Sequence, residues 1–276
     1  MEKIVILHDF SECADNALKV AADVARKLES AEIHLYHIYE KPISGISLQF
    51  YVDKEKLSEL KKDIQNKMDE IAGRDYLKDI KVHKHYVPDK EVWEVLELDS
   101  MKDVDLIVMG THGVKGFKEY FIGSNTQKIV RLADCPVIAI KNPIEKFEVN
   151  DLVFASDFQK EVIPAFVKIK KLADLYNSKI HLLKVNTKFH FESTPEARKR
   201  MQEFAEEFNL ENYTTNIYND ESIEDGIDNF CNEIDPDLIS METHGRIGVS
   251  HIMRQSITEH VVNHVNWPVL SVKMVY

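Results

Sequence analysis

Cysteine is scarce: Cys13, Cys135 and Cys231 are the three in 276 residues, far apart and in no metal-ligand spacing. That argues against a disulfide framework or a structural zinc site built from cysteines, and it suits a reducing cytoplasm. No apolar run approaches the length of a membrane-spanning helix. The opening Met1-Glu2-Lys3-Ile4-Val5-Ile6-Leu7 is too short a run for a signal peptide before His8-Asp9 interrupts it. Positive charge is also in deficit. A net charge of -12 argues against binding polyanions such as nucleic acid or an anionic membrane, and no basic patch offsets it. The lysines between 55 and 66 interleave with acidic residues, as on a solvated helix face. Missing too are a nucleophile elbow, a Ser-His-Asp signature and a Walker lysine after a glycine-rich loop, so nothing here argues for rapid catalysis.

What is present is length for two domains of moderate size, with 44% hydrophobic residues to supply a core to each. Residues 3–7 form a short apolar run of strand type. Ser11 then makes a good N-cap for a helix carrying Ala14, Ala17, Leu18, Ala21, Ala25 and Leu28 at helical spacing. Residues 31–39 read as a second strand. Residues 41–51, rich in Pro, Gly and Ser, read as a loop long enough to shape a cleft. Leu57, Leu60, Ile64, Met68 and Ile71 mark an amphipathic helix ended by Gly73. Residues 80–87 are expected as a third strand, 91–101 as a short helix and 135–141 as a fifth strand with Pro136 near its start.

The fourth strand organises the rest. Asp105-Leu106-Ile107-Val108-Met109 runs into Gly110-Thr111-His112-Gly113, and Gly123-Ser124 opens a new helical pattern. An apolar run that breaks at glycine reads as a buried parallel strand with a loop at its carboxyl end, where open α/β sheets hold ligands. A Gly-Ser pair at a helix start leaves backbone N–H groups bare beside a hydroxyl, which suits an anionic phosphate. Alternating strands and helices with right-handed crossovers then give one parallel sheet covered on both faces.

The chain repeats itself after residues 142–150, which read as a linker. Asp157-Phe158 echoes Asp9-Phe10, residues 179–185 echo the second strand, 237–245 the fourth and 267–270 the fifth. The repeat means two copies of one domain, over 1–141 and 151–276. They differ most between second and fourth strands. Ile38 to Asp105 is 67 residues and Val185 to Asp237 is 52, so the second copy lacks much of the loop beside the expected cleft.

The spacing of Gly110, Gly113, Gly123 and Ser124, with Asp105-Leu106-Ile107-Val108-Met109 before and Cys135-Pro136-Val137-Ile138 after, resembles the ATP-binding motif of the universal stress protein family. The resemblance covers nearly the whole chain. It implies two tandem Rossmann-like α/β domains related to the adenine nucleotide alpha hydrolases, each with a five-stranded parallel sheet and helices on both faces. It implies ATP as ligand, with an accompanying Mg2+ left open. In the first copy it assigns Asp9 to the ribose hydroxyls, Ile38 to the adenine, and Gly110, Gly113, Gly123 and Ser124 to the phosphates. A carboxylate accepts from two hydroxyls, and glycine keeps no Cβ between a phosphate and the backbone. Read without that context, Asp9 serves equally as a helix-cap carboxylate.

The second copy departs at decisive places: Glu242 stands where Gly110 does and Gln255 where Gly123 does, while Gly245 and Ser256 remain. A carboxylate beside a triphosphate repels it. The second copy is therefore expected to be a structural partner that has lost its ligand, with a switch to another ligand as the alternative. His112 and His244 recur in both copies and are expected to serve the loop. His83 and His85 share a strand face, and His260 with His264 has helical zinc-ligand spacing, but no third ligand is identifiable for either pair. Both read as surface or helix-end histidines.

The implied role is a cytoplasmic, nucleotide-dependent stress-response regulator with an unidentified protein partner. Its two copies should pair as an intramolecular pseudo-dimer, with a homodimer as a further arrangement. The rival readings are a slow ATPase or nucleotide transferase, and a nucleotide-free scaffold that binds proteins or lipid.

Overall fold

The computed structural model describes residues 1–46, 49–111, 123–243 and 257–274. In the first half, β1 (Lys3–Leu7), β2 (Glu32–Tyr39), β5 (Val82–Pro88), β6 (Leu106–Gly110) and β7 (Val137–Ile140) run parallel. The second half repeats this with β8 (Asp151–Ala155), β9 (Lys179–Asn186), β10 (Tyr213–Asn219), β11 (Leu238–Thr243) and β12 (Val269–Lys273). The last strands join antiparallel, Leu270 opposite Ile138. One ten-stranded sheet results, in the order β10-β9-β8-β11-β12-β7-β6-β1-β2-β5. Central strands such as Val137–Ile140 are apolar throughout because both faces are covered.

One face carries α1 (Glu12–Leu28), α2 (Lys54–Ala72), α4 (Ile163–Tyr176) and α5 (Thr194–Glu207). Their apolar residues form a single core that crosses the join between halves, from Leu18 and Met68 to Phe166 and Phe204. The opposite face carries α3 (Ser124–Leu132), α6 (Ile223–Ile234) and α7 (Ile257–His264), with a separate core for each half. Helix α1 starts where expected: Ser11 is its N-cap and accepts from the N–H of Ala14.

Two expectations are corrected. The expected helix over 91–101 is two 3-10 turns, Val92–Glu97 and Asp99–Met101. Glu91 and Glu94 make a capping box, but Leu98 is extended at φ -72°, ψ 142° and interrupts the spiral. The expected loop over 41–51 contains an antiparallel hairpin, β3 (Ile43–Ile46) with β4 (Gln49–Val52). The linker over 142–150 packs against the first half: Phe147 and Val149 are buried, and the Phe147 N–H donates to Asp23 Oδ2 at 2.9 Å.

Candidate functional site

The carboxyl ends of β1, β2 and β6 and the start of α3 enclose one cleft. Asp9, Ile38, Gly110 and Gly123 all line it, together with His8, Val92, Thr111 and Thr126. Residues separated by more than a hundred positions thus meet at the place where open α/β sheets hold ligands. Ser124 is the first residue of α3 and is exposed at the cleft's edge. Gly113 and His112 lie outside the described residues. The cleft encloses about 110 Å3, less than the roughly 300–1,000 Å3 typical of small-molecule pockets.

Beneath Asp9 lies a polar network absent from the sequence reading. His8 Nδ1 accepts from the Phe10 N–H at 3.0 Å, so its proton sits on Nε2, which donates to Asp15 Oδ1 at 2.9 Å. Arg74 grips both oxygens of Asp15, at 2.6 and 3.1 Å. Burial lowers the His8 pKa below its ordinary value despite the Asp15 carboxylate beside it. The ring therefore stays neutral at neutral pH and fixes the turn in which Phe10 takes a left-handed φ of 65°. Asp9 is then presented to the cleft, its Oδ1 accepting the Ser11 N–H at 3.1 Å.

The two described glycines of the motif are glycine for different reasons. A Cβ on Gly110 would lie 2.7–2.8 Å from the backbone and sulfur of Cys13, so this glycine lets the first turn of α1 pack onto β6. At Gly123 a Cβ would find, among the described residues, only Thr111 O at 3.6 Å, an ordinary contact, and φ is -56°. Neither packing nor backbone conformation requires glycine there. Its bare backbone begins α3 with no side-chain cap, leaving the helix start open to an anion. Thr126 Oγ1 ties that helix to Gly110 O at 3.1 Å.

The second half, expected to be without a ligand, holds the larger cavity, about 1270 Å3. The strand-end construction is repeated. Phe158 has φ 57° and donates its N–H to Ser156 Oγ, as Phe10 does to His8, while the Gln159 N–H donates to Asp157 Oδ1. Thr258 Oγ1 donates to Glu242 O as Thr126 does to Gly110 O. Where Cys13 sits against Gly110, the corresponding stretch Lys160–Val162 is a 3-10 turn, and α4 begins after it. Glu242 stands at the strand position of Gly110 and lines the cavity. One oxygen accepts from Ser156 Oγ at 3.2 Å, while Oε2 is shut from solvent with no partner among the described residues. Desolvation, with Asp157 nearby, pushes its pKa up to about 7. The cavity lining holds seven carboxylates against Lys184, Lys199 and Arg200, a poor setting for polyphosphate. Gly245, His244, Gln255 and Ser256 lie outside the described residues.

Among known proteins, a family model described as the universal stress protein family matches twice, over residues 1–141 and 150–273. A universal stress protein of Methanocaldococcus jannaschii is 29% identical over 143 residues, spanning 51% of this chain and 83% of its own. One from Bacillus subtilis is 24% identical over 146 residues, spanning 50% and 98%. A universal stress protein structure from Archaeoglobus fulgidus aligns with TM-score 0.78 over 99% of this chain and 96% of its own, at 19% identity. At that identity the likeness shows the fold.

Proposed function

The chain belongs to the universal stress protein family, and from that premise we propose that it is a cytoplasmic regulator whose first half binds one ATP. Its output is a change of shape or of partner binding. The carrying observation is convergence: Asp9, Ile38, Gly110 and Gly123 line a single cleft at the strand ends. On this reading the Asp9 carboxylate accepts the ribose hydroxyls, and Ile38 meets the adenine. Gly110 and Gly123 leave room for the phosphates, joined by Gly113 and Ser124. The cleft encloses part of a nucleotide, and the phosphates reach outward over exposed Gly123 and Ser124. A glycine that neither its φ nor its surroundings demand supports ligand approach at Gly123. Any Mg2+ would travel with the phosphates.

The second half binds no ATP on this reading, because Glu242 replaces the glycine and the cavity lining is acidic. Its role is to complete the sheet.

Titration calorimetry with ATP tests the proposal: one site per chain is expected, and Gly123→Val should remove it while leaving the ATP-free melting temperature nearly unchanged. A stoichiometry of two, or wild-type affinity in the variant, refutes the assignment. Turnover measured at saturating ATP separates a regulator, with negligible hydrolysis, from a slow ATPase. A chain that takes no nucleotide at all would leave the scaffold reading in possession.

A further inference from the structure

Away from both clefts, four side chains from two strands meet on the outermost part of the sheet. Among the described residues strand β5 ends the sheet on that side and pairs only with β2, His34 opposite His83 and Tyr36 opposite His85. Strand alternation places Glu32 and His34 on one face of β2, and His83 and His85 on the same side of β5. Glu32 Oε2 lies 2.8 Å from His83 Nε2 and 4.0 Å from His34 Nε2. The ligand atoms of Glu32, His34 and His83 all fall within 4.8 Å of one another. His34 also stacks on His83, with ring centroids 4.7 Å apart.

We propose that Glu32, His34 and His83 bind a Zn2+ ion that clamps the edge strand β5 to β2. Zinc takes imidazole nitrogen at about 2.0–2.1 Å and carboxylate oxygen at about 2.0–2.2 Å in a tetrahedron, which sets neighbouring ligand atoms about 3.4 Å apart. The Glu32–His83 separation must open by about half an ångström and the Glu32–His34 separation must close by a similar amount, both within the reach of small side-chain rotations. Two of the three ligands, His34 and Glu32, have their other polar atom already held. His34 Nδ1 is 3.0 Å from His85 Nε2, so a Nδ1–H donated to His85 leaves the His34 Nε2 lone pair directed at the ion. Lys81 holds Glu32 Oε1 at 2.6 Å and leaves Oε2 available. Partners of this kind fix the tautomer and orientation of metal-bound imidazoles. His83 and Glu32 are 37% and 36% exposed, so water reaches the fourth position. Lys81 is mostly exposed, and its charge is screened and mobile.

The test uses the full chain stripped with a chelator and titrated with Zn2+ by calorimetry, with Co2+ absorption as an independent report of a tetrahedral site. One equivalent should bind with micromolar or tighter affinity and raise the melting temperature. His83→Ala and Glu32→Gln should each weaken it by about tenfold or more. The other adjacent imidazole pair, His260 and His264, with centroids 3.9 Å apart, serves as a control, and His264→Ala should leave the affinity unchanged. The clamp is overturned if the wild type takes no Zn2+, if Glu32→Gln binds as tightly as the wild type, or if His264→Ala abolishes binding. Should His83→Ala fail to fold by circular dichroism, the half-exposed Glu32→Gln decides the matter alone.

Discussion

Ser156 Oγ donates to Glu242 Oε1 at 3.2 Å, while the other carboxylate oxygen of Glu242 has no partner among the described residues. One hydrogen bond does not replace the hydration that a carboxylate loses on burial, so its pKa rises from 4.5 to about 7. Between those values the folded chain holds a proton that the unfolded chain has released. Stability therefore falls as pH rises through that window, and the loss is complete above it. At about 1.4 kcal/mol per pH unit the full penalty approaches about 3 kcal/mol. Glu242→Gln removes it but leaves an amide N–H without a partner at every pH, so the variant should gain about 1–2 kcal/mol at pH 8 and lose about 1–2 kcal/mol at pH 4.5. Urea unfolding at both values checks this, and a difference independent of pH would rule out the ionisation of Glu242 as its cause.

The contrast between Gly110 and Gly123 gives a second expectation. A methyl group at Gly110 must displace the Cys13 backbone from 2.7 Å, a displacement of the kind that costs about 1–3 kcal/mol in a packed interior. Gly123→Ala makes only an ordinary contact with Thr111 O among the described residues and should change stability by less than about 0.5 kcal/mol. Thermal or denaturant melts of the two variants without ligand should separate them. Equal losses would mean that the first turn of α1 is not held against Gly110.

Asp15 is the hinge of the polar network under the first cleft. Asp15→Ala strands the buried Nε2–H of His8 as well as Arg74, which should cost about 1–3 kcal/mol. Arg74→Ala removes a pair whose side chains are 28% and 29% exposed and leaves His8 its acceptor, so about 1 kcal/mol or less is expected. Chemical denaturation of both variants tests the order. A larger loss for Arg74→Ala would place the weight of the network on the ion pair.

These networks also show why the sequence was legible in some places and not in others. Strand ends and the Ser11 cap were readable because each depends on residues within one short stretch, and the two-copy repeat because such stretches recur in the same order. The four cleft residues Asp9, Ile38, Gly110 and Gly123 could be chosen because the family resemblance carried long-range information that spacing alone does not. Arg74 lies 59 positions from Asp15, and His83 lies 51 from Glu32, so no local pattern announced either meeting. Local signal also failed at Leu98, whose extended backbone splits an otherwise helical pattern into two 3-10 turns. The cavity of the second half was hidden for another reason. Replacing Gly110 by Glu242 reads as loss of a cradle, while the later start of α4 is a change of shape at the opposite end of the repeat.

The join between halves supports the last expectation. Strands β7 and β12 share only three paired positions, Val137 to Ala139 against Val269 to Ser271, yet Ile138 and Leu270 there are fully buried. An apolar sheet edge of this kind, left open, would invite other strands. Side chains reinforce the pairing around its rim: Lys273 Nζ reaches Asp134 Oδ1 at 2.9 Å, and Asn142 Nδ2 donates to Asn266 O at 3.0 Å. The core on one face runs through the join without a break. Halves expressed separately, divided at exposed Glu145 and Lys146, should therefore associate one to one when mixed. The covalent connection raises the effective concentration of one half for the other, so the separated pair should bind measurably but dissociate on dilution, as the intact chain cannot. Analytical ultracentrifugation at micromolar concentration reads the outcome. Two folded, monomeric halves that ignore each other would show that the shared sheet depends on the connection, and the continuous core would then contribute less than its burial implies.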